Sequence, residues 1–547
     1  MRRSVIVPDA AELTPSAPGE GQAVAPPAVV PTMSGRLRTS MRWIGGALAL
    51  PLALYLVLRP ENYSLTPNSL DPVFYTGYSI NFDDIINAVG DTRYFVTRWS
   101  AYYPMYVADA VLGPIAGRLV WRWALASVMA AGLWAYGRRF QWTWAQRFLV
   151  AVVVLTMPMF VRAFMTDYVE YIVVSLGLCL WLLCLQQRQT WWSGATIGTL
   201  VALILVANPV AVVTVSFALV AALVLCSGGI RQRIVLVVSS SVAAAIVVLG
   251  GFVLFRWQYG IPNVYKPTID CVRTYGGDPG AWKSPRYEWL ARFTWLYGPP
   301  ILLVTALVLG RRRKVTWHRT EIAALALLGV QYVNQWYEQF PRDGFGLELS
   351  FYWSFAFPAY GAALVIVVAK FTQGVQSIRV VAIGVGWLLL LWLGVPAALQ
   401  FPPGVWFALV AAGVVAGCAL LASRRVELAV AGLLALLAWT QIGAPDYDPS
   451  AYFKLNVSPN YDMVFRHGGD LSEVIFDEAI WFEREMDRIE NDASTSFVAA
   501  GGWSSSISGL YAPHVTGRLA ALDPAGDRVS DVQEFRGNIK AIQHALE

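Results

Sequence analysis

Residues 147–188 read RFLVAVVVLTMPMFVRAFMTDYVEYIVVSLGLCLWLLCLQQR. Two almost uncharged apolar runs, 148–163 and 169–186, are joined by about five residues carrying Asp167, with Arg147 before the first run and Arg188 after the second. Each run is close to the ~20 residues that a helix needs to cross a ~30 Å hydrocarbon core. A connection this short makes the two helices antiparallel neighbours. Arginine at both far ends and acid at the turn set the direction, because short basic connections stay on the cytoplasmic side.

The same reading extends over most of the chain. Of 547 residues, 56% are hydrophobic and 14% charged, with a mean hydropathy of +0.50. A soluble enzyme would carry about 25% charged residues, so composition alone excludes one and predicts an all-α polytopic membrane protein. Further apolar runs fall at 41–58, 118–137, 194–208, 209–227, 234–255, 293–310, 320–337, 351–369, 379–397, 404–422 and 426–443, which makes thirteen. Arg138, Arg139 and Arg147; Arg188; Arg231 and Arg233; Arg311 to Arg313, Lys314 and Arg319; Lys370 and Arg379; and Arg424 and Arg425 occupy alternate connections. These are the cytoplasmic loops, so the amino terminus is expected inside and the carboxyl terminus outside. Arg122 interrupts one run, and the pair around Asn208-Pro209 is short for two crossings, yet removing either would put the later Arg clusters on the wrong side.

Three parts follow. Residues 1–40, rich in Pro, Ala and Ser, cannot bury enough apolar surface to fold and read as a disordered cytoplasmic tail. Residues 41–443 hold the spans, with a first outer loop at 59–117 and another at 256–292. Residues 444–547 turn polar and acidic. There LSEVIFDEAIWFEREMDRI (471–489) repeats apolar residues at helical spacing, and TSFVAAGGW (495–503) reads as a strand, which predicts a small α/β domain outside the membrane. The five cysteines are scattered without metal or disulfide spacing, the four histidines are dispersed, and nothing supports nucleic-acid binding.

Charge is nearly absent from mid-span positions, which disfavours an ion-coupled transporter, whose coupling ion binds near the midplane. Chemistry gathers instead at the outer surface. The first outer loop, SLDPVFYTGYSINFDDIINAVGDTRYFVTRWSAYYPMYVADAVLGP (69–114), mixes Asp71, Asp83, Asp84 and Asp91 with Tyr and Phe side chains. Interfacial amphipathic helices account for such aromatics without chemistry. Asp71 and Asp167, beside Glu170, also suit an enzyme that deprotonates an attacking hydroxyl, while Asp167 serves equally as a helix N-cap with Thr166 as its competitor. Lys266, Arg273, Lys283, Arg286 and Arg292 in the loop 256–292, with Arg93 and Arg98, supply cations for a phosphate or for ordinary headgroups. Neither outer loop, 59–117 or 256–292, contains a DxD pattern, so a divalent metal is not indicated and no cofactor is expected.

The acid-bearing first outer loop, the TRWSAYYP stretch, a second Asp just after the third run, and a small-residue run ending at ANPV together resemble the membrane glycosyltransferases of the GT-C superfamily. The similarity covers roughly residues 41–257, and DPVFYTGYSIN is similar to the protein-mannosyltransferase-like bacterial group. The resemblance implies an inverting enzyme of the bacterial plasma membrane. Its donor would be a polyprenyl-phosphate-linked sugar, its acceptor an envelope glycan, lipid or protein on the outer side, and its surroundings membrane lipids. It places the catalytic acids at Asp71 and Asp167, with Asp83 and Asp84 as rivals because many relatives have adjacent acids at the first site. Substrate contacts fall to Tyr75, Arg98, Glu170, Lys266, Arg273 and Arg286. Asn208 stands where many relatives have Lys before Pro. A flippase for a lipid-linked sugar and a non-catalytic assembly scaffold are the competing expectations.

Overall fold

The structure is a computed structural model, and it describes Tyr75, Tyr78, Ser79, Phe82, Asp83, 96–157, Phe160, 169–186, 189–269, 294–339, 354–392, 405–421, 425–442, 462–467, 470–475 and 496–499. The tail 1–40 and the first apolar run, 41–58, lie outside the described residues.

The described chain is mostly helical. A 3₁₀ turn, Val96–Arg98, enters α1 (Trp99–Leu112), followed by α2 (Pro114–Arg139), α3 (Trp144–Thr156), α4 (Glu170–Cys184), α5 (Trp191–Ala207), α6 (Val212–Leu225) and α7 (Gly229–Tyr259). Then come α8 (Gly298–Arg312), α9 (Arg319–Gln339), α10 (Phe357–Phe371), α11 (Ser377–Trp392), α12 (Val405–Leu421) and α13 (Val426–Ile442). Helices α2 to α13 fall on twelve of the apolar runs. Helix α1 lies within residues 59–117, the segment expected from the sequence to form the first outer loop.

Helices α4 and α10 are apolar on every side and are buried along nearly their whole length, as an all-round hydrophobic helix must be inside a bundle. They approach closely where Gly177 faces Pro358. Polar links tie the other helices together: Trp387 Nε1 donates to Thr156 Oγ1 at 2.8 Å, Gln146 Nε2 to the Ala369 carbonyl at 2.8 Å, and Gln331 Nε2 to Thr214 Oγ1 at 3.0 Å.

Helix α7 behaves differently. It packs on α5, where Gly194 and Gly198 let the backbones meet: Ser240 Oγ donates to the Gly194 carbonyl at 2.9 Å, and a Cβ on Gly198 would collide with the Ser240 carbonyl. Its other side exposes Ile234, Val238, Val242, Ile246, Leu249 and Val253 as a continuous apolar stripe. Water would penalise such a stripe, whereas lipid solvates it. Among the described residues α7 is the one helix long and apolar enough to cross a membrane by length and composition. The chain is a helical membrane protein.

Side chains finish helix ends on both sides of the bundle. Thr143 and Gln146 form a reciprocal capping box at α3, with Gln146 N to Thr143 Oγ1 at 3.3 Å and Thr143 N to Gln146 Oε1 at 2.9 Å. Between α5 and α6 the buried Asn208 accepts from Val210 N at 3.0 Å through Oδ1. This side-chain cap turns the chain sharply between two short helices.

In the carboxyl-terminal region β1 (Asp462–His467) pairs antiparallel with both β2 (Asp470–Ile475) and β3 (Ser496–Ala499), in the order β2-β1-β3. The strand expected within 495–503 is present. The helical reading of 471–489 fails at its start, because Leu471 to Ile475 belong to β2. Apolar residues at 471, 474 and 475 fit a helix period, but β1 supplies a ladder, with Val474 opposite Met463, and this partner is invisible to local periodicity. Residues 476–495 lie outside the described residues.

Candidate active site

Among the described residues, an extended polar and aromatic assembly begins at the 3₁₀ turn 96–98. No side chain caps the start of α1. Instead Tyr102, one turn into the helix, donates from Oη to the Val96 carbonyl at 2.9 Å. Ser100 Oγ donates to the Leu203 carbonyl at 2.8 Å, near the end of α5. Both contacts fix the direction in which the turn presents Arg98. The guanidinium donates from Nη1 to Tyr75 Oη at 2.7 Å, and Tyr75 is fully buried.

Aromatic rings fill the space behind this contact. Phe82 lies 5.4 Å from Tyr102, 5.7 Å from Phe255 and 4.7 Å from Tyr259, the last two edge to face, and Tyr78 lies 5.2 Å from Tyr102. Such geometry adds roughly 0.5–1.5 kcal/mol per pair beyond area burial. Burial, and then the neighbouring Tyr78, push the Tyr102 phenol well above its ordinary value, so it stays a neutral donor to its carbonyl.

A second segment closes over the first from the end of α7. Gly260, at φ 67°, adopts the left-handed conformation that ends α7. Trp99 Nε1 then donates to Tyr265 Oη at 3.2 Å, and Tyr265 Oη donates to the Val248 carbonyl at 2.9 Å. Thr97 and Thr268 share a hydroxyl hydrogen bond, and Tyr103 and Tyr259 another at 3.2 Å. Burial raises the Tyr265 phenol, against the opposing effect of the Trp99 hydrogen bond. Arg98 thus sits between two clamped residues, Thr97 and Trp99. Lys266, exposed, sits in the facing segment between the clamped Tyr265 and Thr268.

Tyr75 and Arg98 are therefore in direct contact, and Lys266 is brought opposite through its neighbours. Asp83 follows Phe82, is exposed, and lies within electrostatic reach of the Tyr259 hydroxyl. Glu170 belongs to a different part of the frame, the first turn of α4, where it is buried and the helix N-terminus favours its negative charge. The N-cap position there is Val169, which has no side-chain acceptor. Asp71, Asp84, Asp167, Arg273 and Arg286 lie outside the described residues. Among the described residues no cluster of three His, Cys, Asp or Glu side chains has metal-binding geometry.

Two buried ionisable residues were not among the candidate site residues of the sequence. Asp109 on α1 and Arg122 on α2 are 6% and 1% exposed, and their helices pack together where Gly117 meets the Ala108-Asp109 backbone. An ionisable group inside a membrane bundle marks function by default. The sequence signal for Arg122 was present, as a charge inside an apolar run, but only its burial distinguishes it from a residue at a span end.

No family model and no curated protein matches this chain. Similar solved structures include ArnT from Cupriavidus metallidurans in the apo state, 16% identical with a TM-score of 0.42, and ArnT from the same organism bound to undecaprenyl phosphate, 13% identical with a TM-score of 0.40. Each similarity covers 74% of this chain and 77% of the other.

Proposed function

We propose that this protein is an integral-membrane inverting glycosyltransferase that moves a sugar from a polyprenyl-phosphate donor to a cell-envelope acceptor on the outer side of the membrane. The observation that carries the reading is the clamp between Tyr75-Arg98 and the Tyr265–Thr268 segment. It ties Arg98 to a wall of aromatic rings and brings the segment that carries the exposed Lys266 up to the same turn, at one end of the bundle. A lipid phosphate leaving group needs cations for its developing charge, and a guanidinium fork matches phosphate geometry. The aromatic wall suits a sugar or an isoprenoid chain.

In this reaction a carboxylate removes the acceptor hydroxyl proton as its oxygen attacks the anomeric carbon. The carbon–oxygen bond to phosphate breaks, and the phosphate leaves with the electron pair. Arg98, Lys266, Arg273 and Arg286 are assigned to the phosphate, Asp71 to the base, Asp167 to orienting the acceptor, and Asp83 and Asp84 stand as rivals for the base. Tyr75 aims Arg98, and Glu170 contacts substrate. The basic ends of the helices face the cytoplasm, with thirteen spans in total.

The experiment is transfer from a synthetic short-chain polyprenyl-phosphate sugar in the purified full-length protein. General bases contribute about 10²- to 10⁴-fold, so Asp71→Asn should nearly abolish transfer while folding and donor binding persist, and Asp167→Asn should lose less. Collapse in Asp83→Asn or Asp84→Asn, with near-normal Asp71→Asn, moves the base to that pair. Normal turnover in all four variants sinks the mechanism.

A further inference from the structure

A separate polar cavity of about 110 Å³ opens where α3 and α9 begin and α10 finishes. Arg138, Arg139, Arg147, Arg311, Arg312, Arg313 and Lys314 all lie in helix ends or turns on this side of the bundle. One wall is aromatic: the Tyr136 ring lies 4.6 Å from Phe140 and 5.7 Å, edge to face, from Trp142. The opposite wall is an ion pair. Lys370 Nζ donates to Glu321 Oε1 and Oε2, each at 3.1 Å, with both side chains only about a tenth exposed. Glu321 Oε2 also accepts from His318 N at 2.6 Å.

Two features show that this cavity is built for an occupant. Tyr136 lines it, and its hydroxyl, buried within electrostatic reach of Glu321, has no hydrogen-bond partner among the described residues; an orphaned buried hydroxyl costs about 1–3 kcal/mol. Glu321 is held rigidly from two directions, yet a carboxylate offers about four acceptor sites, and the described donors take three.

Aromatic faces beside a carboxylate are the chemistry that recognises an ammonium group. Arg138 and Arg139, exposed just before the lining Phe140, offer the chemistry that recognises phosphate. The volume exceeds the ~30 Å³ share of one water several-fold. We propose that this cavity binds the phosphoethanolamine head of a membrane lipid, its ammonium against Tyr136, Phe140, Trp142 and Glu321 and its phosphate toward Arg138 and Arg139. Lys370 then acts as a positioning residue. It pins Glu321 to α10, with its ammonium 6.0 Å from the Trp317 ring centre.

The site is independent of the transfer reaction, so binding is the readout. Full-length protein in detergent is titrated with dihexanoyl-phosphatidylethanolamine, dihexanoyl-phosphatidylglycerol and free O-phosphoethanolamine, followed by native mass spectrometry. The ethanolamine lipid should bind saturably and tightest, the free head should compete weakly, and the glycerol lipid should not compete. Tyr136→Phe keeps the ring and removes only the hydroxyl, and it should weaken binding about tenfold. Glu321→Gln should abolish binding, but it also strands the Lys370 charge, so Tyr136→Phe decides the matter. Equal affinity for the two lipids, or unaltered binding in Tyr136→Phe, overturns the proposal. A free head that binds as tightly as the lipid overturns its assignment to the membrane.

Discussion

Replacing Tyr75 by Phe removes one atom from the Tyr75–Arg98 clamp. The ring is fully buried and stays, so the packing around Tyr78 and Phe82 should survive. What disappears is the 2.7 Å hydrogen bond from Arg98 Nη1. A hydrogen bond to a charged group contributes about 1.5–3 kcal/mol. If the whole of that energy serves to aim the guanidinium at the leaving phosphate, its loss converts to about 10- to 150-fold in transfer at 1.36 kcal/mol per decade. Phosphate charge develops in the transition state, so kcat should carry the loss while the donor KM changes by less than about threefold. Arg98→Lys keeps the charge without the fork and should fall between Tyr75→Phe and Arg98→Ala. The assay is steady-state transfer from the short-chain donor, with thermal unfolding of each variant alongside. Wild-type kcat in both Tyr75→Phe and Arg98→Ala, with both folded, would refute the aiming argument. So would a loss of activity fully matched by a loss of folded protein.

Three further outcomes are expected. Cysteine introduced by Thr316→Cys should react with an impermeant probe only from the cytoplasmic side, and by Asn460→Cys only from the outside, because the Arg clusters set the orientation; reaction from the opposite faces refutes the topology. Gly198→Leu forces α5 away from the Ser240 backbone and should destabilise by about 1–3 kcal/mol or more, read as a lower unfolding temperature. Burial raises the Tyr102 phenol above its ordinary 10.0, so its contribution to stability is complete below pH 10 and is lost as pH rises through the higher folded value. Alkaline unfolding should therefore be steeper in wild type than in Tyr102→Phe, and identical profiles would rule this out.

The aromatic loop shows where sequence reading stops. TRWSAYYP marked a place where aromatic and basic residues gather, but interfacial rings and a binding wall have the same composition. Only the pairing of Trp99 with Tyr265, across 166 positions, selects the segment that faces Arg98. Asn208 is similar: it stood out as a missing lysine, and the fold gives it a positive task as the cap of a tight turn.

What the sequence determined by itself is whatever depends on near neighbours: the order of the helices, their ends at Arg-bearing turns, and the need for lipid surroundings. Apolar run length and flanking charge act over a few residues, so the chain carries them openly. The tertiary structure alone decided which of these similar runs lies at the centre. Helices α4 and α7 are both strongly apolar, yet α4 is buried and α7 is bare to lipid. It likewise decided that Arg122, Asp109 and Glu170 are buried, and that Leu471 to Ile475 form a strand. Burial and ladder pairing are properties of contacts between distant segments, and no local pattern encodes which segment will arrive to make them.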